Sequence, residues 1–313
     1  MLTLLAQRLV ATVAVMAVVG LTVFLLVHLA PGDPAVVIAG DNATPDQIAA
    51  IRAKLRLDEP LYRQFITWAA AVLRGDLGQS VFSDLPVAQL IGQRMEPTLS
   101  LSLLTMLFAA SCAIGIGVLA AARAGSWIDH AVMVASVISF SVPVFVVGYA
   151  LIYVFALQLQ WLPVQGYRPV ADGVGPWLRH LILPALTLSL AYLALIARIT
   201  RASMLDVLAE DYIRTARAKG VAPAPMHLKH ALKNAGVPIL TIVGIGIALL
   251  IGGVVITETV FNIPGMGRLM VDAIAKRDYP VIQGVILVFS GLYVLINLAI
   301  DLAYGLIDPR IRV

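Results

Sequence analysis

The sequence predicts an all-α polytopic membrane protein: six transmembrane helices, a helical subdomain outside the bilayer after the first, and a charged cytoplasmic helical segment between the fourth and fifth. Three observations carry that prediction. Of 313 residues, 60% are hydrophobic and only 13% charged, with a mean hydropathy of +0.92; that is far more apolar surface than a water-soluble domain of this size buries. Six apolar runs, near 9–30, 99–122, 131–158, 181–200, 236–257 and 281–305, are each long enough to cross a hydrocarbon core that takes about 20 helical residues. Two stretches, 31–98 and 206–235, are too polar to lie in lipid and must meet water, headgroups or another protein.

The elements follow in order. Leu9 to Val27 is longer than a usual signal core, and Ala30-Pro31 makes a poor cleavage site, so it is read as a retained first span. In the 31–98 segment, Thr44-Pro45-Asp46-Gln47 is a helix-start signature, with Thr at the cap, Pro at the first helical position and Gln three residues after the cap. A second helix is predicted from about Glu59 to Arg74, stopping at Gly75. Orientation follows from Lys and Arg in short loops: Arg8, Arg123, Arg198, Arg201, Arg214, Arg217, Lys219, Lys229, Lys233, Arg310 and Arg312 lie on one side, against Arg168, Arg179, Arg268, Lys276 and Arg277 on the other. Both termini and 206–235 are therefore expected to be cytoplasmic, with 31–98 and the loops near 160–179 and 259–279 facing outward.

The net charge of +4 and pI near 9.3 are what the basic cytoplasmic loops of a polytopic protein produce, and nucleic acid is not an expected partner. Cys112 is the only cysteine and lies in an apolar run, so no intrachain disulfide is available. His227 and His230 form an H-x-x-H without a third ligand, amid Lys229 and Lys233, and are not read as a metal site. Ser139, Ser141 and Pro143 have no base at suitable spacing; such serines in membrane helices bond backbone or allow close packing.

In the cytoplasmic segment, Glu210 and Asp211 open a helix whose last turns carry Arg214, Arg217 and Lys219, which suits the helix dipole. Gly220 is expected in the left-handed position past the helix end, and Pro223 and Pro225 forbid continuation. A second helix is predicted near Met226, with Leu228, Ala231, Leu232 and Ala235 on one apolar face. Periodicity leaves three readings open: packing on the protein's own helices or at headgroups, a DNA-binding helix-turn-helix tethered at both ends to membrane spans, or a docking element for a cytoplasmic subunit.

Tyr212-Ile213-Arg214-Thr215-Ala216-Arg217-Ala218-Lys219-Gly220 followed by His230-Ala231-Leu232-Lys233-Asn234-Ala235-Gly236-Val237-Pro238 resembles the EAA loop of binding-protein-dependent ABC importer permeases. Arg214, Thr215 and Ala216 stand where the general motif has Glu-Ala-Ala, a departure that matches the peptide branch. His28–Pro34, Leu57-Asp58-Glu59-Pro60-Leu61, Gly75-Asp76-Leu77-Gly78-Gln79-Ser80, Glu258–Gly267, Arg277-Asp278-Tyr279-Pro280 and Asp308–Arg312 extend the resemblance, over nearly the whole chain, to the B-type permease of dipeptide, oligopeptide, glutathione and nickel importers. The C-type companion usually lacks the outer subdomain.

The resemblance implies a type I importer permease of the bacterial inner membrane, working beside a second, C-type permease. Two ATPase subunits and a periplasmic or lipid-anchored binding protein complete the assembly it implies. The chain has no G-x-x-x-x-G-K-[ST] loop. It is thus expected to be no enzyme and to hold no cofactor, ATP and Mg being bound by the ATPase partners. Arg214, Thr215, Ala216, Arg217, Ala218, Lys219 and Gly220 are the expected docking residues. Glu258, Phe261, Pro264, Gly265 and Gly267 form a candidate outer gate, Glu258 being otherwise a simple helix-end carboxylate. Asn297 and Asp301, one turn apart in the last span, are either a polar lining of the pathway or interfacial residues near the cytoplasmic end. Small peptides are the expected cargo, nickel the alternative; a secondary transporter using Asp301 or Glu258 as a proton site is the competing class.

Overall fold

The computed structural model describes residues 2–29, 33, 35–36, 43–54 and 57–307. Residues 30–32 and 34 of the His28–Pro34 stretch, and the tail from 308 on with its Asp308–Arg312 motif, lie outside the described residues. Among the described residues, twelve helices carry the architecture: α1 Leu2–Leu29, α2 Pro45–Lys54, α3 Leu61–Leu73, α4 Val87–Ala122, α5 Trp127–Ser141, α6 Val144–Leu151 running on as a π-helical turn over Ile152–Gln158, α7 Val174–Leu208, α8 Asp211–Ala218, α9 Pro223–Asn234, α10 Gly236–Val260, α11 Met266–Lys276 and α12 Tyr279–Ile307. Among the described residues the only β pairing is a single bridge between Gln79 and Pro86.

Among the described residues, four helices are individually long and apolar enough to cross a bilayer: α1, α4, α7 and α12. The predicted third span is different, because α5 and α6 meet at a bend of 100°. The cause is Pro143, which has no N–H for the ladder and pushes the residue before it out of the helical region; Val142 is extended at φ −85°, ψ 126°. The predicted fifth span, α10, forms a second bent pair with α9, at 63°. If each bent pair is one span, the total reaches the predicted six. The predicted span at 99–122 starts twelve residues earlier, at Val87, and carries Pro97 inside it.

The chain divides into two compact units, Met1–Glu96 with Gly265–Val294, and Pro97–Pro264 with Leu295–Val313. In the first, the capping box forms as predicted: Thr44 N–H donates to Gln47 Oε1 at 2.9 Å and Gln47 N–H to Thr44 Oγ1 at 3.4 Å. Helix α3 ends at Gly75, whose φ of +84° fits the left-handed cap. The apolar core of this unit joins Val87 and Ile91 of α4 to Met266 and Ala273 of α11 and Val281 and Val285 of α12. Two of the quoted motifs meet in it, 198 residues apart in sequence: Ser80 Oγ donates to Asp278 Oδ2 at 2.6 Å, both residues being buried. The same hydroxyl accepts from Phe82 and Ser83 N–H at 3.3 and 3.2 Å, and Asp278 Oδ1 accepts from Val81 N–H. The carboxylate thus ties the 76–86 loop to the start of α12.

The second unit packs α4, α6, α7 and α10 around Leu101, Leu181, Leu183, Ile196, Leu250 and Phe261. Small residues let the backbones touch, the packing mode of helices that have no hydrophobic gain from leaving lipid. A Cβ on Gly117 would lie 2.7 Å from the Ala197 carbonyl oxygen and 2.6 Å from Thr200 Cβ. Backbone cannot yield as a side-chain tip can, so Gly117→Ala is expected to cost about 1–3 kcal/mol by forcing α4 off α7. The check is the midpoint of thermal unfolding in detergent, which should fall; an unchanged midpoint would show that the two helices separate freely.

Candidate functional site: the charged helical turn

Helix α8 is only eight residues long and far too short to stand alone in water. Two devices hold it. Ile213 is fully buried and joins Met226, Ala231 and Ala235 in a cluster with Val118 and Ala121 of α4, Met204 of α7 and Ile239 of α10. At its end, Gly220 sits at φ +80° as predicted, with Gly220 N–H donating to Arg217 O at 3.0 Å and Val221 N–H to Ala216 O at 3.2 Å. That pair of bonds is a Schellman cap, which stops the helix and reverses the chain.

The second arm differs from the predicted stripe. It starts at Pro223, three residues early, and its middle, Met226–Ala231, is π-helical, with Leu232 N–H bonded to His227 O. A π turn advances five residues per hydrogen bond and rotates the face that follows it. Met226, Ala231 and Ala235 are therefore the buried set, at spacings of five and four, and Leu228 points out at 61% exposure. Leu228→Ser should accordingly leave folding and membrane insertion intact, while Met226→Asp should abolish accumulation of the protein; equal levels of both variants in membranes would refute the π register. The two arms are joined by Asn234, whose Nδ2 donates to Tyr212 Oη at 2.7 Å and to His230 O at 3.0 Å.

With Ile213 turned inward, the seven predicted docking residues face outward. Arg214, Thr215, Arg217, Ala218, Lys219 and Gly220 are exposed and Ala216 is partly buried. Arg214 pairs with Asp211 of its own helix at 3.1 Å, both largely exposed, which contributes little. The result is a rigid, small-tipped, basic knuckle on an apolar foot. Nothing at Gly220 lies within 4 Å of where a Cβ would stand.

One further pair bears on this end of the unit. Asp129, near the start of α5, is buried and accepts from Arg201 of α7 through Nη2 at 2.7 Å and through Nε, and from Gly125 N–H at 2.9 Å. The bidentate fork fixes the onset of α5 on α7, seven residues before Leu208 ends that helix and α8 begins. The sequence offered a signal for it, a charge of each sign at the ends of two apolar runs, but Arg201 counts there only toward orientation.

The remaining candidates sit as follows. Glu258 is fully buried and accepts from Thr98 Oγ1, within the second unit. Phe261 is buried in that unit's core against Gly148, and its carbonyl accepts from Gly166 N–H at 2.9 Å. Pro264 ends this unit's segment; Gly265 and Gly267, both buried, belong to the first unit. Glu258 is thus not a solvated helix-end carboxylate. Asn297 and Asp301 are partly buried on α12 between exposed Leu295 and Leu302. His227 Nδ1 lies 2.6 Å from the Pro223 carbonyl, and Ser141 Oγ donates to Val137 O, so these side chains serve local backbone.

Among the described residues the chain is nearly all helical, with apolar spans, bent helix pairs and a basic helical turn held on the ends of its long helices, the architecture of a polytopic membrane protein. The fold matches a chain of the MetNI methionine ABC transporter, solved in inward-facing conformations, with a TM-score of 0.58 at 19% identity over 70% of this chain and 97% of that one. The chain belongs to the binding-protein-dependent transport system inner membrane component family, whose model matches residues 113–313, its N-terminal companion matching 1–102. Among curated relatives, the Sinorhizobium fredii protein named "Probable peptide ABC transporter permease protein y4tP" is 62% identical over 98% of both chains. The "Glutathione transport system permease protein GsiC" of Escherichia coli O6:H1 is 46% identical over 100% of this chain and 99% of its own.

Proposed function

We propose that the protein is the B-type permease subunit of an ATP-driven importer of small peptides, dipeptides, oligopeptides or glutathione, in a bacterial inner membrane. The observation that carries this reading is 62% and 46% identity, over nearly the full length, to chains named as a probable peptide and a glutathione permease, combined with an exposed basic turn seated on membrane-helix ends. In this reading both termini are cytoplasmic and the 31–98 segment faces outward. A second, C-type permease lies alongside, two ATPase subunits bind ATP and Mg, and an external binding protein delivers cargo.

The geometry supports a mechanical reading. Arg214 to Gly220 dock in the ATPase. Because Ile213 and the Schellman cap make the turn stiff, displacement of the ATPase carries α8 and α9 as one body, and their shared apolar foot hands that displacement to α4, α7 and α10. The stretch of chain that holds Glu258, Phe261, Pro264, Gly265 and Gly267 supplies the outer gate. Asn297 and Asp301 give the pathway a polar face.

The test is uptake of labelled dipeptide and glutathione by vesicles holding the complete importer, with ATP inside and binding protein outside. ATP-dependent accumulation that vanishes without this chain supports the reading. Nickel accumulation in place of peptide would reassign the cargo, and proton-driven uptake by the chain alone would overturn the ABC mechanism.

A further inference from the structure

The 31–98 segment is read above as standing outside the bilayer because of its charge, yet α3 within it has the composition and position of a lipid-contacting helix. Its thirteen residues, Leu-Tyr-Arg-Gln-Phe-Ile-Thr-Trp-Ala-Ala-Ala-Val-Leu, hold one charge, Arg63. The one buried polar side chain, Gln64, turns inward and donates to the carbonyls of Leu57 and Glu59 at 3.3 and 2.8 Å.

Side chains of different chemistry divide α3 into three faces, each about 100° from the next at 100° per residue. Phe65 and Trp68 pack on α1: the Phe24 ring centroid lies 5.3 Å from Phe65 and 5.6 Å from Trp68, and Trp68 comes within 3.9 Å of where a Cβ on Gly20 would stand. Tyr62, Ile66, Ala69 and Leu73 recur at i, i+4, i+7 and i+11 on the outer face; Tyr62, Ile66 and Leu73 are 61%, 62% and 88% exposed. Beside this stripe runs a polar edge of Arg63, Thr67 and Arg74, all exposed.

Depth decides what the exposed face meets. Gly20 and Phe24 lie seven and three residues before the end of the apolar window Val10–Val27, about 10 and 5 Å below it at 1.5 Å per residue. Leu21 and Leu26 bracket Phe24 in depth and are themselves 45% and 48% exposed. Hydrocarbon that covers those two leucines reaches the level at which Phe65 and Trp68 dock on α1.

We infer that α3 lies in the bilayer leaflet at the Val27 end of α1, its Tyr62–Ile66–Leu73 stripe against lipid acyl chains and Arg63 and Arg74 reaching headgroup phosphates. The partner is the lipid surface itself. A monotopic helix there braces the outer end of α1, whose buried residues in the apolar window, Gly20, Val23 and Phe24, include both of α3's contacts.

The test uses the full-length protein, purified with the subunits that accompany it, in lipid discs of phosphatidylcholine and phosphatidylglycerol. Ile66→Cys, Leu73→Cys and Thr67→Cys are made in a Cys112→Ala background and labelled with bimane, with Asp172→Cys, on an exposed loop, as the aqueous reference. Lipids brominated along the acyl chain should quench positions 66 and 73 more than aqueous iodide does, the order should reverse at 172, and position 67 should be more open to iodide than 66. Iodide quenching at 66 and 73 equal to that at 172 would put α3 in water and overturn the inference. Protection from both quenchers at 66 and 73 would show another subunit covering the stripe and would overturn it equally.

Discussion

Peptide uptake is expected to fall to background when Ala216 or Gly220 is changed to Asp, with the protein still inserted and present at normal level. Neither substitution touches the apolar foot: Gly220 has open space around it, and the load-carrying contacts of α8 pass through Ile213. Two effects separate at Gly220. Any side chain at φ +80° pays for the left-handed conformation, about 1–2 kcal/mol for most residues and less for Asn or Asp. Asp also sets a negative charge beside Arg217 and Lys219 at the tip. Gly220→Asn isolates the first effect, because Asn tolerates the conformation without charge, and it should retain most uptake. The measurement is initial rate of labelled peptide uptake, normalised to inserted protein. Normal uptake by an inserted Ala216→Asp variant would remove the turn from the docking role. Uptake lost equally in Gly220→Asn and Gly220→Asp would point to turn geometry instead of tip charge.

Local signals were legible in the sequence wherever one short stretch fixes its own geometry. The Thr44–Gln47 box, Gly75 and Gly220 each sit where their chemistry places them, because a cap depends on four or five consecutive residues. Apolar runs locate the spans because lipid demands them, whatever the packing. Faces and pairings were harder. The stripe through Leu228 assumed 3.6 residues per turn throughout, and one π turn passes the buried place to Met226. Nothing in composition says that turn is π-helical. The bend after Ser141 did have a local cause in Pro143, but an unbroken apolar run masks it in any scan for span length.

Long-range pairs leave no periodic trace at all. Ser80 and Asp278 lie in two motifs that resemblance singled out separately, and only the fold shows that one hydrogen-bond network explains both. Thr98 and Glu258 are the same case inside the second unit, since a carboxylate two residues from a helix end reads as solvated until its partner is found. The division into two units is equally hidden, because α4 and α12 each run unbroken across its boundary.

The second large effect is expected at the buried fork between α5 and α7. Removing Asp129 alone leaves the Arg201 guanidinium, 24% exposed, with its carboxylate partner gone and the Gly125 N–H without its acceptor. Breaking one side of such a partly buried pair destabilises the fold, because the guanidinium keeps its desolvation while losing its carboxylate partner. Asp129→Ala should therefore lower the thermal midpoint sharply and reduce membrane levels. Replacing both partners by apolar residues of similar size, Asp129→Leu with Arg201→Met, removes the orphaned charge and should restore most of the stability, since a buried ion pair contributes little net over good packing. The fork also fixes a geometry that leucine and methionine cannot: two parallel hydrogen bonds hold the start of α5 at one height on α7, close before the α8 turn. The double variant should thus be stable and inserted, yet import less peptide per ATP hydrolysed by the complete importer. Full recovery of both stability and coupling would reduce the pair to a packing element. Failure of the double variant to recover stability would show that the Gly125 loop needs the carboxylate as its cap.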